Sequence, residues 1–308
     1  MNPRLATLLK LGRDRYKYPW ARVAAAPGTS TALAIPIPLT SALIIYGESA
    51  RRRITDIDLD GYHHCLLASP NAFDRHLGCA SAIYWGHITR NEPFARRKVE
   101  NFRKMNLRRN VSARIFSCAM HCRRMRWGDA LKALHGLAEL QRLPFASKVV
   151  AFIDPHHAGV YDNRINRFLS EKGLGNLFPG PDGSVPINGD SMRKPQVGLQ
   201  QNQRRYQHWC LRLQQLAGAL NTATPAAQWI CTERDPQAWR AVDVERALFA
   251  FADRRNEWLF PGRDADELVS LLNGFLTAHS DGHLLRAAPA ARGGTELEHK
   301  VGVCHSAE

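Results

Sequence analysis

The sequence predicts a mostly α-helical protein with some extended structure near its N-terminus. Three observations carry this. Apolar residues recur every three or four positions through several segments from Pro93 onward. The longest apolar run, Thr31–Gly47, is interrupted by Pro36 and Pro38. No internal repeat is present.

The elements follow in order. Residues 1–30 are basic and polar, with a short helical pattern around Leu5–Leu11. Thr31–Gly47 falls short of the roughly 20 residues of a membrane helix and is expected to be buried strand or extended chain. Residues 31–90 mix β-branched runs with turns. Within them Thr55–His64 alternates as a strand would and stops at Asp60–Gly61. From Pro93 to Gln141 the signal is helical, with Phe94, Val99, Phe102 and Met105 near the helical period. Asp129–Arg142 reads as a second helix, with Ala130, Leu131, Leu134, Leu137 and Leu140 on one side.

A hinge at Leu143–Pro144 is expected next, then a helix from Ser147 that Pro155 ends. Asp162–Leu169 reads as another helix. Gly173–Asp190 is long for a connection, as a functional lid or an insertion would be. Helices are expected at Gln201–Leu220 and at Trp239–Asp253, where Val244, Ala247, Leu248 and Ala250 form an apolar stripe. The organisation read from this is an N-terminal region, 1–90, packed on a helical core, 91–286. A tail, 287–308, is polar, Gly-rich and expected to be disordered.

Composition narrows the class. At 308 residues, 44% hydrophobic and 23% charged, the chain reads as globular, not fibrous or disordered. Seven cysteines at irregular spacing do not suit a secreted disulfide framework. The first 20 residues lack the apolar core of a signal peptide. A reducing cytoplasm is therefore the expected compartment, with no membrane span. Cys118, His121 and Cys122 have no second ligand pair at zinc spacing, so a buried helix face is expected there and no metal. His63–His64 and His156–His157 are expected at the surface or in turns.

The charge is less ordinary. Lys and Arg number 42 against 28 acids, for a formal net charge of +14 and a pI near 9.9. Between Arg90 and Arg126 lie twelve basic residues and only Glu92 and Glu100, +10 in 37 residues. Arg51–Arg53 form a smaller cluster. A solvated face usually mixes signs, so this tract points to a polyanion. Guanidinium groups suit phosphate, giving affinity without sequence preference. Arg103, Lys104, Arg108 and Arg109 are the candidate backbone contacts, and DNA is the expected partner. No obligate protein partner and no cofactor are evident.

The informative segment is Leu143–Leu169, LPFASKVVAFIDPHHAGVYDNRINRFL. With the helix before it, it reads helix, hairpin, helix, turn, then Asp at the start of another helix. This resembles the helix–hairpin–helix DNA glycosylase superfamily, with the motif over 130–169. Within that superfamily it is similar to the bacterial 8-oxoguanine-glycosylase-like proteins. Trp239–Phe249, WRAVDVERALF, shares the likeness. Leu143, Pro144 and Lys148 match the family's L-P-G-x-G-x-K, one residue shorter and with Phe145, Ala146 and Ser147 in place of the glycine-bearing hairpin.

The resemblance implies a helix–hairpin–helix glycosylase-like fold that flips a base out of DNA and cuts its N-glycosidic bond. Lys148 would attack C1′ of the target nucleotide. Asp162 would steady the positive charge that grows on the sugar and help deprotonate the amine. Such an amine must be partly neutral near pH 7 and so needs burial or cationic neighbours. Phe145, Ala146, Ser147 and Arg164 would grip backbone phosphate. Phe152 and Trp209 would wall the base pocket, with Trp85 and Tyr206 as further stacking candidates. Core packing is the ordinary alternative for all four aromatics. Asp154 is the rival carboxylate, although Pro155 makes it look like a helix end.

The implied substrate is an oxidised purine or a modified base. Some relatives act against phage whose DNA carries modified bases, so phage defence is an expected setting. The principal alternative is a non-enzymatic DNA-binding protein on the same scaffold. A metal-dependent nuclease would need clustered carboxylates, which the sequence does not display.

Overall fold

The computed structural model describes residues 1–17, 19–26, 28, 41–46, 55–172, 197–223, 238–253, 260 and 262–279. They are mostly helical, with one small antiparallel ribbon near the N-terminus. The Gly173–Asp190 loop, Arg51–Arg53 and the tail from Ala287 lie outside the described residues.

Helix α1 (Pro3–Arg15) begins on an Asn2 cap and buries Leu5, Leu8 and Leu9. Strand β1 (Ala21–Ala25) pairs with β2 (Ala42–Tyr46) in the register Val23–Ile44. The end of the long apolar run is thus a strand.

Two helices stand where strands and turns are expected. Thr55–His64 is the start of α2 (Asp56–Ala68), not a strand. Thr55 and Asp58 close a reciprocal capping box, with Asp58 N–H donating to Thr55 Oγ1 at 3.2 Å and Thr55 N–H to Asp58 Oδ2 at 2.9 Å. The buried residues Leu59, His63 and Leu67 recur every four positions, and this period outweighs the local alternation. Helix α3 (Ala72–Ile88) is buried on nearly every side, so it shows no polar stripe to read. His63 is fully buried and hydrogen-bonds Leu59 O and Ser81 Oγ, contrary to the surface expectation.

Helix α4 (Glu92–Met105) buries Ala95, Val99 and Phe102 and leaves Met105 exposed. Helix α5 (Val111–Arg123) holds Cys118 and Cys122 as buried free thiols. Helix α6 (Trp127–Ala133) is shorter than the expected Asp129–Arg142. Beyond it the chain turns through Gly136 (φ 87°) and Glu139 (φ 65°). Backbone bonds from Leu137 N–H to Leu134 O and from Leu140 N–H to Leu137 O, both 3.1 Å, keep the three leucines inward at helical spacing without a helix.

Helix α7 (Leu143–Ile153) starts at Leu143 rather than Ser147, with Pro144 in its first turn, where a missing N–H costs nothing. Helices α8 (Asn163–Glu171), α9 (Gln200–Thr222) and α10 (Ala241–Ala252) stand close to expectation. Helix α11 (Gly262–Ala278) buries Leu268, Leu272, Phe275 and Leu276 where no element is predicted.

Helix α1 packs on α10 and α11, α2 on α3 and α7, α6 on α9, and α10 on α8 and α9. One apolar core runs through all of them. Among the described residues no helix is long and apolar enough to cross a membrane.

Within this core lies a buried lattice of charge. Arg13 of α1 donates to Asp243 Oδ1 at 3.0 and 3.1 Å and pairs with Asp56. Arg240 bridges Asp60 (2.9 Å) and Asp243 (2.8 Å). Arg246 pairs with Asp60 at 2.5 and 2.9 Å and with Asp56 at 3.2 Å. Three guanidiniums thus face three carboxylates. Burial alone would raise Asp243's pKa; Arg240, Arg13 and Arg246 outweigh that and hold it well below the usual carboxylate range.

Breaking such a lattice leaves an unpaired buried charge, which costs about 3–5 kcal/mol. Asp243→Asn should lose about that much at pH 7. Because the wild-type pKa is depressed, the stabilisation is full above the unfolded value of about 4 and drains away as pH falls below it. The cost of the substitution should therefore shrink in acid. Denaturant unfolding at pH 7 and pH 3 measures it, and an equal cost at both would contradict the assignment.

Candidate active site

Lys148 sits in the middle of α7 with only 9% of its surface exposed. Its Nζ donates to Pro144 O at 3.1 Å, one turn back. Gly86 of α3 lies directly over its stem. A Cβ at Gly86 would come within 3.2 Å of Lys148 Cδ and 3.1 Å of the Phe145 ring, so a larger residue there would press on both. Phe145 and Trp85 flank the amine, with Nζ 5.2 and 6.0 Å from their ring centres.

The chain leaves α7 at Asp154 and returns to the lysine through a short segment. Gly159 is wedged against Leu213 and Glu245, and its carbonyl accepts from Tyr206 Oη at 3.0 Å. Tyr161 N–H donates to Ser147 Oγ at 3.1 Å, tying the segment to α7 one residue before Lys148. Asp162 follows and caps α8, accepting from Arg164 N–H at 2.8 Å. Burial pushes the Lys148 pKa down, the charges of Asp162 and Glu245 pull it back up, and Arg164 pushes it down again. The lysine and aspartate expected to act together are thus within electrostatic reach, with no salt bridge closing between them among the described residues.

Glu245 of α10 is the group that sequence reasoning misses. It is 3% exposed and makes no hydrogen bond or ion pair among the described residues. Burial, opposed by Arg246 and reinforced by Asp162, raises its pKa to about 8. A signal existed. Every residue from Ala241 to Ala252 except Phe249 is buried, so a helix this apolar has no water face for its Asp, Glu and Arg. Its charges had to point inward. The same face continues at Phe249 and Asp253, one and two turns on. Arg164 lies over the Phe249 ring at 5.4 Å and pairs with Asp253 at 3.2 Å, anchoring the start of α8 on α10.

The other expected site residues divide. Ala146 and Ser147 are fully buried, and Ser147 Oγ is used by Pro144 O and Tyr161 N–H. The N–H groups of Phe145 and Ala146 bond to Arg142 O at 3.0 and 3.1 Å. These positions form a helix turn, not a loop with free amides, so the phosphate-gripping role of Ala146 and Ser147 is corrected. Phe152 is core: it stacks on His63 at 4.1 Å and meets Trp85 edge-on. Trp209 is also core, edge-on to Tyr161. Asp154 is occupied by Trp127 Nε1 (2.9 Å) and His157 Nδ1 (2.8 Å), which removes it as the rival carboxylate. Arg164 is 46% exposed beside its partner Asp253.

The basic tract is a surface. Arg90, Arg96, Arg97, Lys104, Arg108, Arg109, Arg114, Arg123, Arg124 and Arg126 are exposed, and Arg103 is half-buried. The side chains of Arg108 and Arg109 make no hydrogen bond or ion pair among the described residues. A file of rings joins this face to the lysine. Arg90 lies 4.2 Å from the Phe94 ring, Phe94 meets His87 edge-on at 5.2 Å, and His87 stacks on Phe145 at 4.2 Å. Burial, then Lys98, Lys148 and Arg90, push the His87 pKa down to about 4, so this ring is neutral at pH 7. Among the described residues no group of three His, Cys, Asp or Glu side chains is arranged to hold a metal ion. No family model, no curated protein and no solved structure matches the chain.

A buried amine with a depressed pKa costs stability at neutral pH, since the unfolded chain binds the proton more tightly. Lys148→Met keeps the stem and removes the charge. It should stabilise the fold by about 0.5–2 kcal/mol at pH 7. The gain should shrink as pH rises toward the ordinary lysine value of about 10.4. Denaturant unfolding at pH 7 and pH 10 measures this, and destabilisation at pH 7 would contradict it.

Proposed function

We propose that the protein is a DNA glycosylase that extrudes a damaged or modified base and cleaves its N-glycosidic bond through Lys148. The observation that carries this reading is the setting of Lys148. A buried amine with a lowered pKa faces a carboxylate and lies at the end of a ring file that begins on an exposed basic face. A neutral amine is the nucleophile a glycosidic carbon requires, and burial is what makes a lysine neutral near pH 7.

In this reading Lys148 Nζ attacks C1′ and the bond to the base breaks. Asp162 lies where its negative charge opposes the positive charge growing on the sugar. The adduct, a Schiff base after ring opening, then allows strand cleavage, so the enzyme would be a combined glycosylase and lyase. Arg103 and Lys104 in the last turn of α4, Arg108 and Arg109 between α4 and α5, and Arg164 in α8 are assigned to backbone phosphate. The substrate class is an oxidised purine or a modified base, and phage defence is the proposed setting for the latter. The second reading, a non-enzymatic DNA-binding protein, draws on the same basic face.

Borohydride reduction on duplex DNA with a preformed abasic site separates the two. Wild type should give a covalent protein–DNA band that Lys148→Ala abolishes. Salt-dependent binding without a band would favour the non-enzymatic reading. In either case Arg108→Ala and Arg109→Ala should each lower the slope of log affinity against log salt by about 1, uniformly across sequences. Unchanged slopes by electrophoretic mobility shift would move the phosphate contacts elsewhere.

A further inference from the structure

A buried carboxyl without a partner is rare in a folded protein, because its desolvation is not offset by a hydrogen bond or counter-charge. The other acids of α10 conform to that rule: Asp243 is enclosed by Arg13, Arg240 and Arg246, and Asp253 by Arg164. Glu245, between them, makes no hydrogen bond or ion pair among the described residues, although Arg246, Lys148 and Arg13 lie within electrostatic reach. Arg246, its neighbour in sequence and the strongest cation acting on it, gives its hydrogen bonds to Asp56 and Asp60. The glutamate stem lies against the Gly159 backbone, three residues before Asp162. A Cβ at Gly159 would stand 2.9 Å from Glu245 Cβ, so that glycine is the notch that admits the glutamate stem.

We propose that Glu245 is the general acid of the Lys148 site, delivering a proton to the group that leaves C1′. The assignment rests on the reading of Lys148 as the attacking amine. It gives the unpartnered carboxyl a task that neither Lys148 nor Asp162 performs.

The steps balance as follows. The reacting form has a neutral amine and a protonated Glu245. In base excision, Nζ forms a bond to C1′, the C1′–N bond breaks with its electron pair on the base, and the base takes the Glu245 proton. On a preformed abasic aldehyde, Nζ adds to C1′ and the carbonyl oxygen collects the proton from nitrogen. The C–O bond then breaks, its pair leaves with oxygen, and the Glu245 proton completes a water molecule. Glu245 ends as carboxylate beside the cationic imine, which it then stabilises.

The charges that face Glu245 permit this. They are Lys148 from α7, Asp162 ahead of α8, Arg13 and Tyr16 from α1, and Arg246 on its own helix. Burial and Asp162 favour the protonated form and the cations oppose it, with the balance near pH 8. The acid is therefore armed at neutral pH and disarmed above it.

The test uses full-length protein and duplex DNA bearing one preformed abasic site, with borohydride trapping rates measured from pH 5 to pH 10. The wild-type rate should fall above about pH 8 as Glu245 loses its proton. Glu245→Gln should trap at least about 100-fold more slowly at pH 7, and its rate should show no alkaline fall. A wild-type rate that climbs steadily to pH 10 overturns the proposal, whatever the variant's stability. So does a Glu245→Gln rate equal to wild type at pH 7. An adduct that Lys148→Ala abolishes and Glu245→Gln leaves intact overturns the acid alone. No adduct from wild type, or one that Lys148→Ala leaves intact, overturns the lysine reading and this assignment with it.

Discussion

The buried pairing of three arginines with three aspartates is the constraint on which the rest depends. Each partner alone would be costly inside a protein, and only the closed set is tolerable. Asp56 and Asp60 come from α2, Arg13 from α1, and Arg240, Asp243 and Arg246 from the start of α10. These three helices therefore have one relative placement in which every charge is answered. Apolar packing supplies most of the driving force but accepts many near-equivalent arrangements; the charge lattice selects among them.

That selection reaches the lysine. With Asp243 and Arg246 engaged by α1 and α2, Glu245 between them keeps no hydrogen-bonded partner among the described residues, and its stem lies against Gly159. There it meets the segment that carries Asp162. Helix α3 brings Gly86 and Trp85 to the same amine, and α8 is moored to α10 through Arg164 and Asp253. Lys148 itself adds little to stability; it is held in an unfavourable setting by elements secured elsewhere. The unfavourable burial of the amine is local and its compensation distant.

How much was legible in the sequence follows the range of the information. The local surroundings of Lys148 and Asp162 could be read, with Pro144 in the first turn and Asp162 as a cap, because those features lie within a few residues of each other. Helices α9 and α10 could be named because their apolar residues keep period. Helices α2 and α3 could not. A short alternation around Thr55–His64 mimicked a strand, and a helix buried on all sides has no polar face to set its phase. Leu134, Leu137 and Leu140 mimicked a helix because successive three-residue turns repeat at nearly the same spacing. Phe152 and Trp209 illustrate a different limit: a buried aromatic reads alike whether it lines a pocket or fills a core. Gly86, His87 and Glu245 meet the site only through contacts between distant segments.

Arg13 and Asp243 are 230 residues apart. A ribosome adding about 5–20 residues each second needs roughly 10–45 s between the two. During synthesis Asp60 is exposed before either of its arginines exists, and α1 has no α10 to lie on. The basic face and the lysine are complete long before the helix that closes the core. A nascent chain can therefore meet a polyanion while its amine still lies open to water. Helix α10, with only α11 among the described helices still to follow, brings Glu245 and completes the charge lattice, so both are late events of synthesis.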